Sequence, residues 1–172
     1  MKTCKYCNPL ILFCTILLIF SIVYSCDKKE TQQTQPNINV HLLNVSECKL
    51  LKAGVSDSLS CIEYNFEPTT GKLNLKHINS AFNCCPGEIS GNISMLNDTI
   101  ILEENESESG CNCDCLYDLD FEISGVAAKA YRIKIIEPYL GDQQSLDFFV
   151  NLENQPTGNW CVIRTNYPYN LP

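Results

Sequence analysis

Apolar and polar side chains alternate with a period of two along much of this chain, and the longest such run is CNCDCLYDLDFEIS, from Cys111 to Ser124. One face carries Cys111, Cys113, Cys115, Tyr117, Leu119, Phe121 and Ile123; the other carries Asn112, Asp114, Leu116, Asp118, Asp120, Glu122 and Ser124. Neighbouring side chains of a strand point to opposite faces, so the pattern predicts a half-buried strand with an apolar side on a core and an acidic side in water. A helix would scatter the same residues around its axis. The same period predicts strands through Ile38, Val40 and Leu42; through Cys61, Ile62, Tyr64 and Phe66; and through Leu73, Leu75 and His77. Further on it predicts strands at Ile89 to Met95, Thr99 to Glu103, Tyr131 to Ile135, Phe148 to Leu152 and Cys161 to Thr165. Pro68 with the following Thr-Thr-Gly, Pro86-Gly87 and Leu96-Asn97-Asp98 supply turn chemistry between them. Residues 49–60 and 103–110 read as loops, and residues 77–87 as chain leaving the third strand.

A hairpin centred near residue 127 would place Glu122 opposite Arg132 and Asp120 opposite Lys134, with Ile123 by Tyr131, Phe121 by Ile133 and Leu119 by Ile135. Both faces of that register are complementary, and a one-residue slip would turn the inner row outwards. Eight or nine short strands with no helical period predict an all-β fold, an antiparallel β-sandwich of immunoglobulin-like type.

The first residues are of a different kind. Lys2 and Lys5 precede an almost unbroken apolar run from Leu10 to Tyr24. At about 1.5 Å per residue the run reaches roughly 22 Å, short of the ~30 Å hydrocarbon core, which favours a signal h-region over a membrane span. It ends in Val23-Tyr24-Ser25-Cys26, which resembles the lipobox of bacterial lipoproteins. That resemblance implies cleavage of residues 1–25 and lipidation of Cys26, with an uncleaved anchor or an ordinary secretory signal as the alternatives. Residues 26–37, Gln- and Thr-rich with no large apolar side chain, then form a flexible tether to a single domain over 38–172. The formal charge of −8 speaks against nucleic acid and against electrostatic docking on anionic lipid. Membrane contact would run through the acyl chains.

Outside the signal and Cys26 stand Cys48, Cys61, Cys84, Cys85, Cys111, Cys113, Cys115 and Cys161. An even set in an exported domain reads as a disulfide framework stapling the sandwich. Adjacent positions on one face of a strand lie about 6.6 Å apart, at the edge of disulfide reach. Cys111, Cys113 and Cys115 should therefore bond to other segments, with Cys84 and Cys85 as the obvious partners. Cys48 with Cys61 and Cys161 with the remaining thiol complete one scheme. The alternative is a zinc site built from Cys84, Cys85, Cys111, Cys113, Cys115 and His77. Against it, the usual ligand spacing is absent and thiols outside the cytoplasm oxidise.

His77 has no nucleophile motif beside it and reads as a buried or edge histidine held by a hydrogen bond, and His41 says less. Glu103, Glu104, Glu106, Glu108 and Asp114 offer oxygen ligands for calcium but lack the Asp-x-Asp-x-Asp-Gly pattern. Asp118, Asp120 and Glu122 look like paired carboxylates, for which the salt ladder to Arg132 and Lys134 already accounts. There is no phosphate-binding glycine motif and no cofactor is implied.

His77-Ile78-Asn79, Phe82-Asn83-Cys84-Cys85-Pro86 and the Cys-x-Cys-x-Cys-x-Tyr-Asp-Leu run from Cys111 to Leu119 resemble a group of small uncharacterised lipoproteins of Bacteroidetes over residues 73–136. The resemblance implies a β-domain lipid-anchored to the outer membrane, on the periplasmic face or the cell surface, and no established activity. Bacteroidetes also O-glycosylate exported proteins at Asp-Ser/Thr-apolar tripeptides, which makes Ser58 and Thr99 candidates, both in expected loops or turns. The function expected is thus a non-enzymatic binding or structural module of the cell envelope, with a protein or glycan partner. Zinc binding and a proteinase-inhibitor-like or adhesive role are the alternatives, the last on fold analogy alone.

Overall fold

The computed structural model describes residues 37–49, 59–108 and 110–165, which belong to one unit of the chain. The signal segment with Cys26, the tether up to residue 36, Ser58 and most of the 49–60 loop lie outside the described residues. Nine strands run in order β1 (Asn39–Val45), β2 (Leu59–Glu67), β3 (Lys72–Asn83), β4 (Ile89–Leu96), β5 (Thr99–Glu106), β6 (Asp114–Ser124), β7 (Ala130–Ile136), β8 (Asp147–Asn151) and β9 (Thr157–Ile163). They form a five-stranded sheet, β1-β6-β3-β2-β9, and a four-stranded sheet, β4-β5-β7-β8. The inner rows of both sheets merge in one core: Ile62, Tyr64, Leu73, Leu75, Leu119 and Phe121 from the first, Ile100, Leu102, Ile133, Ile135, Phe148 and Val150 from the second. The fold is the disulfide-stapled β-sandwich that the period of two predicted. Its strand order differs from the immunoglobulin scheme, since β1 lies beside β6 and not beside β2. One pair, β5 with β7, is parallel.

The hairpin expected between β6 and β7 does not form. β6 lies between β1 and β3, and β7 lies in the other sheet between β5 and β8. The pairing rule failed because β3 carries the same signature as β7, apolar inside and lysine outside. Leu73 sits by Ile123, Leu75 by Phe121 and His77 by Leu119. The acidic row of β6 accordingly meets Lys72 from Glu122 at 2.9 Å, Lys76 from Asp120 at 3.6 Å and Lys49 from Asp118 at 2.5 Å. Arg132 turns to Asp147 of β8 at 2.6 Å. The connection leaves the first sheet at Gly125, where φ is +84° and a Cβ would stand 2.4 Å from the Asn37 carbonyl oxygen.

Several boundaries also differ. β2 begins at Leu59, two residues inside the expected loop. β3 continues to Asn83 instead of ending at His77, because Asn79, at φ 63°, forms a bulge that keeps the ladder with β6 going. Asn79 Nδ2 donates to the Leu59 carbonyl at 2.7 Å, and the Asn79 N–H donates to Asp118 Oδ1 at 3.1 Å. β5 runs to Glu106, so half of the expected acidic loop is strand. β6 starts at Asp114, leaving Cys111 and Cys113 before the strand. Leu116, assigned to the wet face, is fully buried with Ala81 beneath Tyr139. In β9 the phase is opposite to that expected: Val162 points inward, and Ile163 is 67% exposed.

Candidate functional site

At one end of the sandwich each inner row continues one step past its last apolar residue into a polar one. Ser60 precedes Ile62, His77 follows Leu75, Glu104 follows Leu102, Glu137 follows Ile135 and Arg164 follows Val162. The five meet in one buried cluster. His77 Nδ1 lies 2.7 Å from Glu104 Oε1 and its Nε2 lies 2.9 Å from Ser60 Oγ. Ser80 Oγ donates to Glu104 Oε2 at 2.7 Å. Arg164 Nη2 donates to both oxygens of Glu137 at 2.7 Å and to Ser60 Oγ at 3.1 Å, and its Nη1 donates to the Gln144 carbonyl at 2.6 Å.

Burial pulls the His77 pKa down, but the Glu104 carboxylate, its hydrogen bond and then Glu137 outweigh burial and Arg164, so the net direction is up. The protonated ring gives two cations facing two carboxylates, which is how buried charge is tolerated. Burial raises the Glu137 pKa against the opposing pull of His77 and Arg164.

Ser60, His77 and Glu104 stand in the hydrogen-bonded order of a hydrolase triad. Their side chains are sealed, however: Ser60 and His77 are 0% exposed and Glu104 is 1% exposed. The Ser60 oxygen also accepts an Arg164 N–H. The arrangement joins the two sheets; a substrate carbonyl has no route to it. His77 as a hydrogen-bonded buried residue is thus as expected, whereas Ser60, Glu137 and Arg164 carry no expectation in the sequence and Glu104 is offered there only as a calcium ligand. Their signal was the same period of two, followed one position further.

The cysteines form four bridges: Cys48–Cys115, Cys61–Cys161, Cys84–Cys113 and Cys85–Cys111. Cys84 and Cys85 do clip the chain before β6, as expected. Cys48 does not pair with Cys61; it reaches Cys115, because the chain after β1 runs back along β6, with Lys49 bridged to Leu116. Cys61 pairs with Cys161 because β9 lies beside β2 and the register sets the two opposite each other. Of the six residues of the zinc alternative, Cys84, Cys85 and Cys111 bring their sulfurs within 4.8 Å of one another. Cys115 is committed to Cys48 and His77 to the buried cluster.

The acidic residues offered for calcium disperse. Glu104 faces the core, while Glu106 accepts the Asn83 N–H at 3.1 Å and the hydroxyl of Tyr139. That hydrogen bond, then burial and the neighbouring charges of Glu106 and Asp114, push the Tyr139 phenol up to about 12. Burial, then Glu106, raises the Asp114 carboxyl. Thr99 is the first residue of β5.

The outer face of the five-stranded sheet carries an open groove of about 630 Å³. The register aligns Asn44, Asp120, Lys76, Glu63 and Asn159 in one row across all five strands. Asn74, Asn65 and Thr157 lie along the next. Asn44 Nδ2 donates to Asp120 Oδ2 at 3.1 Å, and Lys76 approaches Asp120 from the other side. The side chains of Glu63, Asn65, Asn74 and Asn159 make no hydrogen bond among the described residues. In the sequence Glu63, Asn65, Asn74, Lys76 and Asp120 stand at wet-face positions, while Asn44, Thr157 and Asn159 do not; only the register assembles them. No protein-family model, curated protein or solved structure matches the chain.

Proposed function

We propose that this chain is an exported lipoprotein, anchored to the outer membrane through Cys26, whose β-sandwich binds a partner and performs no catalysis. The observation that carries the reading is a contrast in access. Among the described residues the constellation with catalytic order, Ser60-His77-Glu104, is buried and held by Arg164, whereas four uncommitted polar side chains, Glu63, Asn65, Asn74 and Asn159, gather in an open groove. Ligand sites are concavities of about 300–1,000 Å³ with a few convergent polar groups, which the groove matches. The lipobox motif and the four bridges support the exported address, since disulfides persist outside reducing compartments. The Cys-x-Cys-x-Cys-x-Tyr-Asp-Leu motif supports kinship with the small Bacteroidetes lipoproteins.

Two measurements test this. Labelled palmitate fed to expressing cells should enter the wild-type chain and not Cys26→Ser. Purified full-length chain should turn over chromogenic esters and glycosides no faster than the Ser60→Ala variant does. Turnover abolished by Ser60→Ala would overthrow the non-enzymatic reading.

The clustered sulfurs of Cys84, Cys85 and Cys111 favour a second reading, zinc binding once the bridges are reduced. Stoichiometric zinc with free thiols in the chain isolated from cells would establish it. Four bridges without metal would exclude it.

A further inference from the structure

We propose that the groove on the outer face of the five-stranded sheet is a saccharide site, taking a neutral oligosaccharide; this rests on the binding-module reading above. Its chemistry is that of hydroxyl recognition. A side-chain amide presents a donor and an acceptor together, a carboxylate accepts, and a sugar hydroxyl does both. Asn65, Asn74, Asn159 and Glu63 have these groups unpaired among the described residues and pointing into the groove.

Charge narrows the class. Lys76 and Asp120 neutralise each other, which leaves Glu63 as the unbalanced charge of the row. A nucleotide, a sulfated glycan or a uronate polymer would meet repulsion with no cation left to hold it. An extended peptide is disfavoured for another reason. Peptides that add to sheets need an unpaired edge. Here the backbones of β2, β3 and β6 beneath the groove are each paired on both sides.

Size points to a chain and not a single ring. Five strands at about 4.8 Å spacing make the row roughly 19 Å long, the span of a short oligosaccharide. Leu43, 60% exposed beside Asn44, offers an apolar contact for ring C–H groups at one end.

The test uses the full-length chain in detergent, titrated calorimetrically with neutral hexasaccharides: β-1,4- and β-1,3-linked glucose, α-1,4-linked glucose, β-1,4-linked xylose and β-1,4-linked mannose. Hexagalacturonate and an uncharged hexapeptide serve as comparisons. At least one neutral oligomer should bind. Asn74→Leu and Glu63→Ala should each weaken it by about tenfold, the loss of one or two net hydrogen bonds. Asn92→Leu, an exposed change on β4 of the opposite sheet, should leave it unaltered and guard against a folding effect. No binding at about 10 mM, ten times a Kd of about 1 mM, would overturn the assignment, as would binding indifferent to Asn74→Leu or stronger binding of the galacturonate. Binding of the peptide but of no sugar would overturn the saccharide class and leave the binding module standing. Catalytic turnover would remove both.

Discussion

His77 illustrates what one side chain can and cannot say in sequence. Its place in the inward row after Leu73 and Leu75 is legible; its partners arrive from four other strands or their ends. Because the folded ring holds its proton more tightly than the unfolded one, its stabilisation is fully present below the ordinary value of 6.5 and drains away as pH rises through the raised folded value. Glu104 and Glu137 favour the charged ring, Arg164 opposes it, and the hydroxyls of Ser60 and Ser80 complete the shell. Glu137, also raised, contributes with the same sign above its ordinary 4.5. Urea midpoints measured from pH 5.5 to 9 should therefore fall with pH, and His77→Gln should flatten the upper part of that slope. Arg164→Met leaves the Glu137 carboxylate buried without its partner and should cost about 3–5 kcal/mol in the same denaturation experiment. The Tyr139 phenol, held up to about 12 by Glu106, should be among the last to ionise in an ultraviolet titration. That late component should disappear in Tyr139→Phe.

At the scale of elements, the difficulty was partner choice. β6 is plain from its alternation, yet β3 and β7 both offer an apolar inner row and cations outside, so complementarity does not select between them. Two local devices decide the outcome. Gly125 turns the chain out of the first sheet with a left-handed backbone against the Asn37 carbonyl. Asn79 absorbs an extra residue so that Phe82 and Cys115 still meet across the ladder. Gly125→Ala combines a disfavoured φ with a backbone collision. It should destabilise by roughly 2–3 kcal/mol, seen as a lower denaturant midpoint at unchanged slope.

On the scale of the whole molecule, two of the bridges lock covalently what the ladders already pair. Cys48–Cys115 holds the chain after β1 to the start of β6, and Cys61–Cys161 fastens edge strand β9 to β2. Non-reducing peptide mapping of the purified chain should return these pairs together with Cys84–Cys113 and Cys85–Cys111. The double variant Cys61→Ser/Cys161→Ser, which closes no long loop in the unfolded chain, should lose about 4 kcal/mol of stability.

The all-β class, the approximate number and place of the strands, and the role of the cysteines as staples are legible in the sequence. Those follow from side-chain period, turn residues and cysteine count, all of which are local. It also located Cys84 and Cys85 against the start of β6, since their neighbourhood left few partners. The tertiary structure decided which strands pair, which cysteines join across long separations, and which outward polar residues line up in the groove. It likewise turned five isolated polar residues into one buried ionic cluster. Each of these depends on contacts between residues far apart in the chain, among alternatives that the local pattern leaves nearly equal.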